Sequence, residues 1–306
     1  MTWTLSAFAD EAGETLEEQI EALREAQIFH VDLRNVDGHN IAALPLDHAA
    51  AVRRKLDDAL ITVHMYGSPI GKIDIADDFE IDAQRMKRLG ELRPILGATA
   101  VRMFSYYNKA SAPADRWRTE AVDRVKRLAE LAEKYDLVLY HEHEPGLYGG
   151  NLATVTNLYD ELRQLGTDRF RLIFDFDNYN QAGEDVWSNY LQQRDDISAI
   201  HIKESQKQPD GSFMHVPAGQ GDGHIARIFA DLASRGFSGG LTLEPHLART
   251  AAVLKTAPHG AANRDLAGRS PLECFVIAAQ AARQLLSQVN RLEQPPARSA
   301  SAPAAR

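Results

Sequence analysis

The sequence predicts a single-domain (β/α)8 barrel, and three observations carry that prediction. Short apolar runs rich in β-branched or aromatic residues recur along the chain. Segments of helical period rich in Glu, Lys, Arg, Ala and Leu separate most pairs of them, and eight such runs can be counted. Strict alternation of strand and helix implies parallel strands joined by right-handed crossovers, in an open sheet or a closed barrel. The count favours closure. No G-x-G-x-x-G follows the first run, where the turn reads Asp10-Glu11-Ala12-Gly13, which argues against a dinucleotide-binding sheet.

The first run, 4–9, ends Phe8-Ala9-Asp10-Glu11 and leads to a helical segment over 16–26. The second, 29–33, ends Val31-Asp32-Leu33-Arg34 and precedes a helix over 46–59. Run three, 61–66, continues into Gly67-Ser68-Pro69-Ile70-Gly71-Lys72 before a helix over 83–96. The fourth, 100–104, carries Arg102-Met103-Phe104-Ser105 and is followed by a helix over 117–134. Run five, 137–141, ends His141-Glu142-His143-Glu144, with a helix over 155–165. The sixth, 171–174, passes into Asp175-Phe176-Asp177-Asn178 and a weaker helical segment over 185–194. Run seven, 199–202, gives His201-Ile202-Lys203-Glu204, a glycine-rich turn at 217–223 and a helix over 225–234. The eighth, 240–243, ends Leu243-Glu244-Pro245-His246. An irregular segment over 247–270 that can serve as a lid follows it, then a closing helix over 271–289. The barrel is expected over 1–290. The Pro/Ala/Ser-rich stretch 291–306 cannot bury enough apolar area to offset its ordering entropy, so a disordered tail is expected there.

Composition narrows the function. With 44% apolar and 25% charged residues, the chain is an ordinary globular protein able to bury a large core. Its net charge of −9 argues against a nucleic-acid partner, which needs a basic stripe. Cys274 is the single cysteine, so an intrachain disulfide and a cysteine-rich metal site are excluded, as suits a reducing compartment. The N-terminus lacks a signal-peptide pattern and no long apolar stretch occurs, so a cytoplasmic protein with no membrane span is expected.

In a parallel barrel, catalytic groups project from the C-terminal ends of the strands. Strands five to eight each contribute an acid or an imidazole at one depth: Glu142, Asp175, His201 and Glu244. Carboxylates crowded together repel one another unless a cation or protons neutralise them. One divalent ion is the economical answer. Oxygen-rich ligation with one imidazole and no thiolate favours Mn²⁺, then Mg²⁺ or Co²⁺, with Zn²⁺ also compatible. Lys203, two residues beyond His201, can share its face of the strand and steady an anionic intermediate. Asn178, His246, Arg102 and His64 are further candidate substrate contacts, and Lys72 with its glycine loop offers N–H groups and a cation for a phosphate or carboxylate. His141 and His143 read as support behind the ligands. Asp32 and Arg34 either contact substrate or pair with each other.

Five motifs, His-Glu-His-Glu (141–144), Phe-Asp-Phe-Asp-Asn (174–178), His-Ile-Lys-Glu (201–204), Pro-Ala-Gly-Gln-Gly-Asp-Gly (217–223) and Leu-Glu-Pro-His (243–246), stand in order at strand ends. In them the chain resembles the sugar phosphate isomerase/epimerase family of xylose-isomerase-like TIM barrels. Carried over position by position, that resemblance implies Glu142, Asp175, His201 and Glu244 as metal ligands. Glu142 and Glu244 would flank a small carbohydrate substrate as proton-transfer residues. Dimers and tetramers are common among such proteins, so a homo-oligomer is an expectation. Where ketose 3-epimerases carry a His after the ligand Asp and an Arg after the ligand His, this sequence has Asn178 and Lys207, a departure from that subgroup. The multi-zinc histidine cluster of endonuclease IV relatives is also absent.

The implied chemistry is removal of a C–H proton next to a carbonyl, with the cation stabilising the enediolate. Ligation lowers carboxylate basicity, so each Glu must keep one oxygen off the ion, and monodentate ligation is expected. An isomerase or epimerase of a sugar or sugar derivative, phosphorylated or not, is the first reading. A lyase expelling a β-hydroxyl from an inosose-like or keto-sugar substrate is the second. A noncatalytic sugar binder is the third, disfavoured by the survival of all four ligand positions.

Overall fold

The computed structural model describes residues 2–256 and 263–289. Eight parallel strands form its sheet: β1 Thr4–Ala7, β2 His30–Leu33, β3 Thr62–Tyr66, β4 Ala100–Met103, β5 Val138–Glu142, β6 Phe170–Asp175, β7 Ile197–Ile202 and β8 Gly240–Leu243. Their order runs β1-β8-β7-β6-β5-β4-β3-β2, with β1 and β2 meeting across the one seam that lacks a ladder, so the barrel is nearly closed. Each predicted strand is present, within three residues at either end.

The helices form the outer layer: α1 Leu16–Glu25, α2 Leu46–Asp58, α3 Glu80–Leu96, α4 Ala114–Lys134, α5 Leu152–Arg163, α6 Phe176–Gln181, α7 Val186–Gln193, α8 Ile225–Ser234, α9 Ala251–Thr256 and α10 Pro271–Val289. Helix α1 starts at a reciprocal capping box between Thr15 and Glu18, which satisfies its orphan N–H groups. The sequence pattern did not anticipate α6, α9 or the short hairpins Asn35–Val36/His39–Asn40 and Ser205–Lys207/Phe213–His215, since pieces this short carry no legible period. Part of the proposed lid and the whole proposed tail fall outside the described residues. No described helix is long and apolar enough to cross a membrane.

Strand parity separates two apolar layers. Leu139, Leu172, Phe174, Ile200, Ile202, Leu241 and Leu243 belong to the core shared with the helices. Met65, Ile173 and Ala199, with Ala100 and Tyr140 against them, form a separate cluster inside the barrel. Because side chains alternate with period two, the residues two positions on from Ala100, Tyr140, Ile173 and Ala199 share that inner face. Those residues are Arg102, Glu142, Asp175 and His201. The ladder pairs Asp175 with His201 and His201 with Thr242, two before Glu244, so the acid end of each strand reaches one level.

Candidate metal centre

Glu142, Asp175, His201 and Glu244 each offer one donor atom, and these four atoms lie within 4.8 Å of one another in the barrel mouth. All four residues are buried. His201 Nδ1 is 3.2 Å from Glu142 Oε1, 3.2 Å from Glu244 Oε2 and 3.7 Å from Asp175 Oδ2. Asp175 Oδ2, Glu244 Oε2 and both ring nitrogens of His201 make no hydrogen bond among the described residues. Lys203 Nζ lies 3.1 Å from Asp175 Oδ2 and 3.8 Å from Glu244 Oε2, a partial answer to the cost of burying such groups together. Converging carboxylate oxygens with one imidazole nitrogen are the donor set a divalent cation takes, so these residues fit one.

Electrostatics agree. Burial pushes Asp175 up to about 7, with Lys203 opposing and Glu142 adding to the rise. For His201, burial works downward, but Glu142 and Glu244 outweigh it and hold the imidazole up at about 10. Burial would raise Glu142, yet the charges of His201 and Arg102 keep it well below the usual carboxylate range. Without an ion, the charged imidazole together with Lys203 and Arg102 faces the three acids.

Asp175 divides its two oxygens. Oδ1 accepts the backbone N–H groups of Asp177 (2.9 Å) and Asn178 (2.8 Å), capping α6, and leaves Oδ2 for the cluster. Helix cap and candidate ligand are thus the same side chain. Glu142 and Glu244 are divided in the same way. Glu142 Oε1 and Glu244 Oε2 face His201, whereas Glu142 Oε2 lies 3.2 Å from Arg102 Nη1 and Glu244 Oε1 lies 2.8 Å from Arg34 Nη1.

Among the other expected contacts, Lys203 and Asn178 do reach the cluster. Lys203 Nζ is 3.1 Å from Asp175 Oδ2 and donates to Asn178 Oδ1 at 3.0 Å. Asn178 Nδ2 donates to Glu142 Oε1 (3.2 Å) and to the His143 carbonyl (2.8 Å), so it ties β5 to β6. His246 lies at the edge, with Nε2 3.6 Å from Glu244 Oε1 and 3.4 Å from Glu11 Oε1. His143 supports from behind as expected: its Nε2 accepts the Asp175 backbone N–H at 3.1 Å, and its ring stacks on Tyr179. Burial holds His143 well below the usual imidazole range, the neutral state an accepting nitrogen requires. His141 turns away to Ser105 Oγ (2.9 Å) and Phe170.

Two expected contacts are corrected. His64 is the extra residue of a bulge: the ladder pairs Val31 with Val63 and then Asp32 with Met65. Its ring bonds Asp32 Oδ1 at 2.9 Å and lies against Gly240, at the start of β8 and four residues before Glu244. Lys72 pairs with Glu144 at 2.6 Å and lies over the Phe104 ring, so its charge is already answered within the protein. Its loop also uses its own N–H groups. Gly67 donates to Leu33 O, Ser68 to Tyr66 O, Ile70 to Ser68 Oγ, Gly71 to Asp82 Oδ2 and Lys72 to Pro69 O. None is left for a phosphate or carboxylate. The turn at 217–223 is tight as expected, because the Glu204 carboxylate accepts from the Gly219 and Gly223 N–H groups.

Sequence reasoning gave no role to Asp10 or Glu11 and mispaired Arg34. Arg34 engages Asp10 through Nε (2.9 Å), Glu11 through Nη2 (3.2 Å) and Glu244 through Nη1, while Asp32 turns to His64 and Thr242. The available signal was the position of Asp10-Glu11 just past β1. Burial, opposed by Arg34, pushes Glu11 up to about 8.

A barrel of eight parallel strands whose C-terminal mouth gathers three acids and one imidazole defines a class, the α/β barrels with an oxygen-rich candidate metal cluster. Within it, the sequence matches the family model described as xylose isomerase-like TIM barrel over residues 10–267, and the chain belongs to that family. No curated protein matches the sequence. Among solved structures, it is similar to an L-ribulose 3-epimerase, with a TM-score of 0.70 and 17% identity over 95% of this chain and 96% of that one. It is also similar to the IOLI protein with a bound zinc atom (TM-score 0.68, 16% identity, 94% and 99% covered). A third is the probable 3-DHS dehydratase AsbF of Bacillus anthracis (TM-score 0.68, 15% identity, 92% and 99% covered). At these identities the likeness concerns the fold.

Proposed function

We propose that the protein is a divalent-metal-dependent isomerase or epimerase of a small sugar or sugar derivative, with Glu142, Asp175, His201 and Glu244 as ligands and Glu142 and Glu244 as proton-transfer residues. The carrying observation is the convergence of those four buried donors from four neighbouring strands, with both ring nitrogens of His201 left without a hydrogen bond among the described residues. A divalent ion there, Mn²⁺ by its donor set, would polarise adjacent substrate oxygens and stabilise the enediolate left by proton loss. The zinc named with one structural neighbour supports a divalent ion without choosing among metals.

The protein's own groups divide the remaining work. Each glutamate keeps one oxygen off the cluster, as proton transfer from a ligating carboxylate requires. The two outer oxygens differ. Glu244 Oε1 takes a short charge-assisted bond from Arg34, which lowers its basicity, whereas Glu142 Oε2 has only the longer contact to Arg102. Glu142 Oε2 is therefore the less tied of the two outer oxygens and is the one assigned to abstract the proton. Lys203 would steady charge developing on a substrate oxygen. The buried, unpaired Cys274 suits a reducing compartment such as the cytoplasm.

The same difference supports a second reading, a lyase, because elimination needs one strong base rather than two on opposite faces. The neighbour described as a dehydratase accords with it. The test is to incubate Mn²⁺-loaded protein with keto-sugars, inososes and sugar phosphates in D₂O. Deuterium entering the carbon next to a carbonyl at unchanged skeleton supports isomerisation or epimerisation, and loss of one water supports the lyase. Neither exchange nor loss of water with any of them, by protein carrying a full equivalent of metal, removes both readings.

A further inference from the structure

We infer that the substrate of this site is an acid, a small polyol bearing a carboxylate or phosphate, and that Arg102 anchors its anionic group. The inference rests on the site proposed above and adds the charge of its ligand.

Two buried arginines reach the cluster, and their hydrogen bonding differs. A guanidinium carries donors on all three nitrogens. Arg34 uses all of them: Nε and Nη2 form a fork on Asp10, Nη2 also reaches Glu11, and Nη1 bonds Glu244 at 2.8 Å. It is a saturated structural cation. Arg102, equally buried, is not saturated. Nη1 has a 3.2 Å contact to Glu142 Oε2, long for a charge-assisted pair, and Nη2 has a 3.4 Å contact to the Gly67 carbonyl. Its Nε has no acceptor among the described residues. Nothing in the Glu142 contact requires an arginine, since one loose bond from one nitrogen can be made by lysine.

The surroundings hold the guanidinium in place while leaving Nε unanswered. Its carbon lies 4.7 Å from the centre of the Phe8 ring and 5.0 Å from that of Phe104. Rings on a guanidinium cover its faces, so hydrogen-bond acceptors reach it in plane, through Nε and Nη. A planar fork with an unmet donor, oriented by aromatic rings and set beside the candidate metal cluster, matches a carboxylate or phosphate oxygen pair. Glu142 at 3.2 Å and Glu244 at 3.6 Å face Nη1 alone, so an anionic oxygen at Nε would meet a donor that neither carboxylate reaches, with a charge-assisted bond stronger than a neutral hydroxyl makes. Lys72 is excluded from this role by its pairing with Glu144. Lys203, with two contacts to Asp175 and Asn178, is a point charge that can face a single oxygen and does not offer the planar fork an oxygen pair takes.

The test uses full-length protein, metal-free and Mn²⁺-loaded, titrated calorimetrically with D-gluconate, glycerol 3-phosphate and the neutral polyol sorbitol. Bound metal is measured on the same samples. At least one acid is expected to bind about 10- to 100-fold more tightly than sorbitol, and Arg102→Met should remove most of that preference at unchanged metal stoichiometry. Gluconate alone binding identifies a carboxylate, and glycerol 3-phosphate alone a phosphate. The Arg102 Nε–H resonance of ¹⁵N-labelled wild-type protein, assigned through Arg102→Lys, should shift with the acid and stay put with sorbitol. This readout holds even if Arg102→Met does not fold. Equal binding of acid and polyol, an unmoved Nε–H signal, or no binding of either acid overturns the inference, as water filling the same donors would not discriminate. Failure of metal uptake with the acid preference intact in the metal-free protein would instead sink the metal-dependent reading alone.

Discussion

Asp175 carries two duties on two oxygens, and paired substitutions separate them. Asp175→Asn keeps an Oδ1 acceptor for the Asp177 and Asn178 N–H groups, and asparagine caps helices as well as aspartate does. It replaces Oδ2, however, with an NH2 donor facing His201, which no cation will ligate. Asp175→Ala removes both functions and leaves two N–H groups of buried residues unanswered. A lost cap costs roughly 1 kcal/mol, and unsatisfied buried donors raise the figure to about 1–3 kcal/mol. In metal-free protein, urea unfolding should therefore show the alanine variant about 1–3 kcal/mol less stable than the asparagine variant. Both should lose divalent-ion affinity by more than the 10- to 100-fold typical of changes outside the ligand sphere, about 100-fold or more by calorimetry. If Asp175→Asn still takes up one equivalent of Mn²⁺ with wild-type affinity, Oδ2 is not a ligand. If alanine and asparagine are equally stable, the division of labour is wrong.

Three other outcomes are expected. Arg34→Met strands Asp10, Glu11 and Glu244 without their shared buried cation and should cost about 3–5 kcal/mol in urea unfolding. Gly71→Ala would place a Cβ 2.1 Å from the Phe104 carbonyl oxygen at a φ of +81°, so the loop must shift; a loss of at least about 2 kcal/mol is expected in a thermal melt. For His64, burial works downward but Asp32 outweighs it and raises the imidazole, while the same pairing lowers Asp32. A raised histidine stabilises the fold below its unfolded value and loses that contribution as pH rises through the folded one. A lowered aspartate contributes above its unfolded value and loses it as pH falls. The stability gap between wild type and His64→Gln should thus be widest between about pH 4 and 6.5 and narrow by pH 9, read by urea unfolding at each pH. A gap that widens toward pH 9 would refute the pairing.

Much of the centre was legible in the chain because its signals are local. Period two fixes which residues of a strand share a face, so the polar endings of β5 to β8 could be set at one depth, and the family resemblance pointed to Glu142, Asp175, His201 and Glu244 among them. The same rule set His143 behind the site. It failed at His64, where one inserted residue broke the period, and it carried no information about Lys72, whose loop turned out to satisfy its own backbone.

The sequence by itself determined the alternation of strand and helix, the number of strands and the line of acids at their ends, all of which follow from hydrophobic periodicity over a few residues. Only the tertiary structure decided which cation answers which acid. Arg34 meets Glu244 across 210 positions of chain, Asp175 shares itself between helix and cluster, and Arg102 Nε meets no acceptor among the described residues. Such pairings depend on distances that closure of the barrel creates, and no local pattern encodes them, because electrostatic partners are chosen by proximity in space and by burial together.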